Sequence, residues 1–151
     1  MTGGNFEAML AGQAFINTDA GQRYAQFVRG LHTAVVDFSD DSEQIETDNV
    51  AKIITDNPPL IDANSVGSLH RPSYQHKPVL DLDMDVLVVP SSTRGHHHLY
   101  IDKLMPWRDY SLLMNVLAHV GILQPGYVSA SHHRVESFLR TPWIRKGYSM
   151  P

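Results

Sequence analysis

Between residues 79 and 89 the chain alternates: Leu80, Leu82, Met84, Val86 and Val88 fall on one side, Asp81, Asp83 and Asp85 on the other. A period of two puts these sets on opposite faces of a half-buried strand. Pro90 has no amide to donate and closes the strand. The following residues, PSSTRG, read as a tight turn with Gly95 able to take positive φ. HHHLYID alternates again, His96, His98, Tyr100 and Asp102 against His97, Leu99 and Ile101. Two strands around a short loop predict a hairpin over 79–102. A loop of four residues, 91–94, pairs Leu87 with His98, Asp85 with Tyr100 and Asp83 with Asp102, so that the acidic and histidine rows share a face. An odd-numbered loop separates them.

Around this hairpin the pattern changes period. Residues 5–38 show apolar positions at helical spacing: Phe6, Met9, Leu10, Ala14 and Phe15, then Tyr24, Phe27, Val28, Leu31 and Val35. Asn17-Thr18-Asp19 breaks the run and offers an N-cap to a second helix. Residues 39–47 read as an acidic connector. Ser42 followed by Ile45, then Val50, Ile53 and Ile54, suggests a third, shorter helix that ends at Asn57-Pro58-Pro59. Residues 58–78 read as a long loop, either a cover for a ligand or a solvated linker. After the hairpin, Pro106 marks a helix start, and Trp107, Tyr110, Leu113, Met114, Leu117 and either His119 or Val120 form a stripe that ends at Gly121. In the tail, Ser131 caps a short helix over 132–139. Phe138, Leu139, Trp143 and Ile144 then anchor a last extended segment. The expected fold is α+β: N-terminal helices, a small antiparallel sheet built on the 79–102 hairpin, and a helix at about 106–120 packed on it. The length of 151 residues suggests one domain, with 1–57 helical, 58–78 a loop and 79–151 an α+β core.

Composition narrows the classes. Hydrophobic content of 42% supports a core, and a net charge of −4 gives no overall basic signature for nucleic acid. The charge is uneven: residues 39–48 are acidic, while Arg134, Arg140, Arg145 and Lys146 crowd the tail. With no cysteine, disulfides and thiolate metal sites are excluded. The start, MTGGNFEAML, lacks the pattern of a signal peptide. No apolar run approaches the roughly 20 residues of a membrane span, so the expected location is cytoplasmic. Neither a P-loop nor a GxGxxG is present.

Clustered carboxylates repel unless a cation or shifted pKa values hold them together. Carboxylates suit Mg²⁺ or Mn²⁺, and adjacent imidazoles widen the choice to Zn²⁺. The bland alternative is a solvated outer face of a sheet.

The pattern resembles the core of archaeo-eukaryotic-type primase-polymerases in three short motifs. Asp81-Leu82-Asp83 is similar to that family's acidic strand. Ser91-Ser92-Thr93-Arg94-Gly95 leading to His98-Leu99-Tyr100 is similar to its small-residue turn and histidine strand. Leu139-Arg140-Thr141-Pro142-Trp143-Ile144-Arg145-Lys146 is similar to its basic segment. The resemblance implies a metal-dependent nucleotidyltransferase acting on nucleotides or nucleic acid. Asp81, Asp83 and, as a third candidate, Asp102 would hold Mg²⁺ or Mn²⁺, His98 would orient a phosphate or the metal, and Arg94, Arg140, Arg145 and Lys146 would neutralise phosphate charge. The chain as a whole also looks like small proteins of actinobacterial phages, which implies a role in phage DNA replication in the cytoplasm of an infected bacterium. A second hypothesis of a different class is a non-catalytic accessory protein that binds a host protein or nucleic acid. Its contact surface would be the acidic N-terminal half.

Overall fold

The break at Asn17-Thr18-Asp19 is a helix corner. The computed structural model describes residues 3–37, 52–145 and 147, and the chain divides into two compact units, Met1–Asp81 and Leu82–Pro151. In the first, α1 (Gly3–Ile16) and α2 (Asp19–Phe27) meet at Thr18, whose hydroxyl accepts the Gly21 amide at 3.0 Å. Such a cap satisfies one of the amides orphaned at a helix start. Gly21 is dictated by the corner, because a Cβ there would lie 1.8 Å from the Phe15 carbonyl oxygen. Phe15 and Tyr24 pack edge to face across it, ring centroids 5.8 Å apart.

The rest of this unit is sheet, where the sequence pattern suggested helix and loop. Strands β1 (Leu31–Asp37), β2 (Lys52–Asp56), β3 (Ser65–His70) and β4 (Gln75–His76) pair antiparallel in the order β2-β1-β3-β4, with a 3-10 turn at Leu60–Asp62 before β3. Val28, Leu31 and Val35 do sit at helical spacing, but Thr33, Val35 and Val36 are β-branched and stiff in a helix. Paired neighbours on both sides tip the balance to strand. Residues 58–78 are not one loop, since they supply β3 and β4. SVGSLH has little strand propensity, and its strand exists because β1 offers a ladder. Of the third helix expected before Asn57, residues 52–56 form β2; its earlier part, like the acidic connector at 39–47, lies outside the described residues. Val28, Leu31 and Ala34 are the buried apolar side chains described in this unit.

In the second unit, β5 (Val86–Pro90) and β6 (His97–Ile101) form the expected hairpin. Helices α3 (Trp107–His119) and α4 (Pro125–Arg134) follow. Pro106 stands at the N-cap of α3, and Gly121 takes φ +83° just past its end. Met114, 1% exposed, and Val128 are buried here together with Ser131. The tail departs from expectation in two ways. Its helix begins at Pro125 rather than at Ser131, because Pro is pre-organised for a first turn. It ends at Arg134 with Val135 in the left-handed region, φ 58°, and residues 137–145 form no strand. The fold is thus α+β, with small antiparallel sheets and four helices among the described residues. No described helix is long and apolar enough to cross a membrane.

Candidate nucleic-acid interface

The hairpin register places the polar row. Val86 pairs with Ile101, Leu87 with Tyr100, Val88 with Leu99, Val89 with His98 and Pro90 with His97. The loop is therefore 91–96, even as expected but two residues longer. Ser91 donates to the His96 carbonyl at 3.0 Å and His96 to the Thr93 carbonyl at 3.0 Å, and Gly95 takes φ +79°. One step beyond the ladder, Asp102 donates its amide to the Asp85 carbonyl at 2.9 Å. Opposed residues share a face. That face reads, from the open end to the turn, Asp85 with Asp102, Leu87 with Tyr100, and Val89 with His98.

The strand does not extend back to residue 79. Continuing the register would pair Asp83 with residue 104 and Asp81 with Pro106. Pro106 has no amide, and α3 begins at Trp107. Residues 77–85 are irregular, Leu80 is 77% exposed, and Asp81 and Asp83 lie outside the ladder. Asp81 ends one unit and Asp83 falls in the other. Among the described residues, no three histidines, aspartates or glutamates gather closely enough to hold a metal. Asp85 with Asp102 is the carboxylate pair that the hairpin itself brings together.

The turn end is basic. Arg94 is exposed within it, and Arg140 of the tail reaches it, Nη2 donating to Ser92 Oγ at 3.4 Å. Thus two of the segments that carry the family resemblance, far apart in sequence, meet in space. Arg145 is exposed just after the turn at 141–144, and Lys146 lies outside the described residues. His98 is half-buried at the turn end of the face, and Asp102 is exposed.

Beside the hairpin lies a groove of about 580 Å³ lined by Leu99, Tyr100, Ile101, Lys103, Leu104, Met105, Tyr110, Leu113, Tyr127, Ser137, Phe138 and Leu139. Three consecutive β6 residues line it, so the groove runs along the free edge of that strand. Under it the Tyr110 hydroxyl donates to Ser137 Oγ at 2.8 Å, and Ser137 donates to Ser131 Oγ at 2.8 Å. Burial holds the Tyr127 hydroxyl above the ordinary tyrosine range, and a hydrogen bond with Ser137 opposes that shift.

Sequence reasoning missed a second charged cluster, in the four-stranded sheet. His32 on β1 bonds through Nε2 to the Asp56 carboxylate at the end of β2, and Arg71 Nη2 donates to the same carboxylate at 3.1 Å. The hydrogen bond from His32 and the charge of Arg71 hold the Asp56 carboxyl below the usual aspartate range, while desolvation opposes them. Nothing in the spacing of 32, 56 and 71 signals it, because strand pairing alone makes them neighbours.

No protein-family model, curated protein or solved structure matches this chain.

Proposed function

We propose that the protein binds and processes nucleic acid in a metal-dependent manner, in the way of primase-polymerase cores, in phage DNA replication. The observation that carries this reading is the layout of the hairpin face, a carboxylate pair at one end and two arginines at the other. Five residues of strand separate them, about 17 Å at the usual rise. That is too far for one phosphate group to meet both ends. A single strand lying along the face would meet both, with phosphates at Arg94 and Arg140 and with Tyr100 and His98 as stacking surfaces between.

The donor set suits the expected cofactor. Asp85 and Asp102 are exposed and opposed through the bond from the Asp102 amide to the Asp85 carbonyl, Asp85 Oδ1 accepting the Val86 amide at 3.0 Å. Mg²⁺ or Mn²⁺ is commonly held by one or two carboxylates with water and substrate oxygens completing the shell. When bound, such an ion supplies charge neutralisation at a phosphoryl group. Zn²⁺ at the histidine run is the alternative ion. Arg94 and Arg140 position the strand, and His98 lies between the two ends.

The test is anisotropy of a labelled single-stranded oligonucleotide, in EDTA and in Mn²⁺ or Mg²⁺, beside Asp85→Asn/Asp102→Asn. Binding that strengthens with the ion and loses that gain in the double variant supports the reading. No binding under any condition overturns it.

One observation favours the alternative of an accessory protein with a protein partner. Leu112, Val116 and Val120 lie one turn apart on α3 and its cap, 63%, 52% and 59% exposed. An apolar stripe in i, i+4, i+8 spacing is the form in which a helix presents itself to a partner. Analytical ultracentrifugation with a candidate host protein, wild type beside Val116→Lys, tests that reading. It is supported by a complex that the variant loses and overturned if no complex forms.

A further inference from the structure

We infer that the groove beside β6 takes one unpaired base of the bound strand, so that recognition in this unit combines the hairpin face with a base-stacking slot. The inference rests on the nucleic-acid reading above. Three features of the groove choose the occupant. Its walls carry Tyr100, Tyr110, Tyr127 and Phe138, and the volume of about 580 Å³ has room for a planar ring system. The one charged side chain in the lining is Lys103, a cation next in the chain to Asp102, which favours an aromatic group joined to an anion. Tyr100 belongs to both surfaces: it is paired with Leu87 on the hairpin and lines the groove. A strand passing the Asp85–Asp102 pair can therefore turn a base past Tyr100 while its phosphate meets Lys103.

The polar groups at the floor settle how the base is read. The hydroxyls of Tyr110, Ser137 and Ser131 already bond to one another. The hydroxyl protons of Tyr110 and Ser137 are thus spent within the protein. Stacking and apolar contact then dominate, and these tolerate any base because each has a π-face.

The experiment compares two labelled probes of about twelve units, an oligothymidylate and an abasic phosphodiester of the same charge, on the full chain. Wild type should bind the base-bearing probe roughly tenfold more tightly, the usual size of one stacked base. Phe138→Ala, at an exposed position on the rim, should remove most of that preference, leave binding of the abasic probe unchanged and keep the melting temperature. Oligoadenylate should behave as oligothymidylate does, within a few-fold. Equal binding of the base-bearing and abasic probes overturns the base slot, together with stacking on Tyr100 and His98, and leaves the phosphate and cation contacts of the nucleic-acid reading standing. A base preference that Phe138→Ala leaves intact places the base elsewhere and also overturns it. Binding of neither probe removes both readings together.

Discussion

The two units treat their charged side chains in opposite ways. In the four-stranded sheet, His32, Asp56 and Arg71 satisfy one another across β1, β2 and the turn after β3. In the hairpin unit, Arg94 and Asp102 have no side-chain partner among the described residues, and Arg140 has only a long bond to Ser92. Charges paired internally hold strands in place and have little left to offer a ligand. Charges spaced along an open face are costly to cluster and stay available to an outside phosphate or cation. The difference teaches where to look for function, since the first set closes a fold and the second leaves one face unfinished.

The largest expected effect tests whether the units are separate. Met114→Ala should cost about 3 kcal/mol from the cavity left in the hairpin unit. Hydrogen exchange should then speed up in β5, β6, α3 and α4 while β1 and β3 keep their protection. Equal loss in both units would break the comparison. Next, Arg94→Ala/Arg140→Ala should weaken oligonucleotide binding about tenfold at moderate salt and flatten the slope of log K against log salt by about 1.4, two phosphate contacts' worth. Its chemical-denaturation midpoint should not move. A change in stability instead would mean that these arginines hold the fold.

A smaller effect is expected at the end of α4. Val135 is a β-branched residue at φ 58°, so Val135→Gly should stabilise the hairpin unit by about 1 kcal/mol in urea unfolding. No gain would show that this strain is relieved in solution. The smallest effect belongs to the paired cluster. Because the Asp56 carboxyl is depressed, its stabilisation is full above the ordinary aspartate value of about 3.9 and fades as pH falls through the folded value. Asp56 is exposed, so the size should be modest. Melting temperature followed from pH 6 to about pH 2 should fall less steeply in Asp56→Asn than in wild type. Identical profiles would show that the cluster contributes nothing.

Sequence alone determined the local features of this chain, those that depend on near neighbours. Thr18 caps α2 because its hydroxyl reaches an amide three residues on, and Pro106 and Gly121 bound α3 by their own backbone restrictions. Once the loop is even, the shared face of Asp102, Tyr100 and His98 follows from the alternation on each side of the turn. Tertiary structure decided what depends on distant partners. The acidic run at 79–85 alternates as a strand should, yet it finds no partner: β6 leaves the ladder after Asp102, where the Lys103 amide turns back to the Ile101 carbonyl at 2.8 Å, and Pro106 and α3 stand further along. The run at 31–37 fits a helix as well as a strand, and β2 and β3 on its two sides settle it. Arg140 meets Ser92 only because the tail folds back to the hairpin turn. A helix cap or a turn is built by residues within reach of one another in the chain. A strand is complete only when its hydrogen bonds find another strand, and which one is free to receive them is a property of the whole fold.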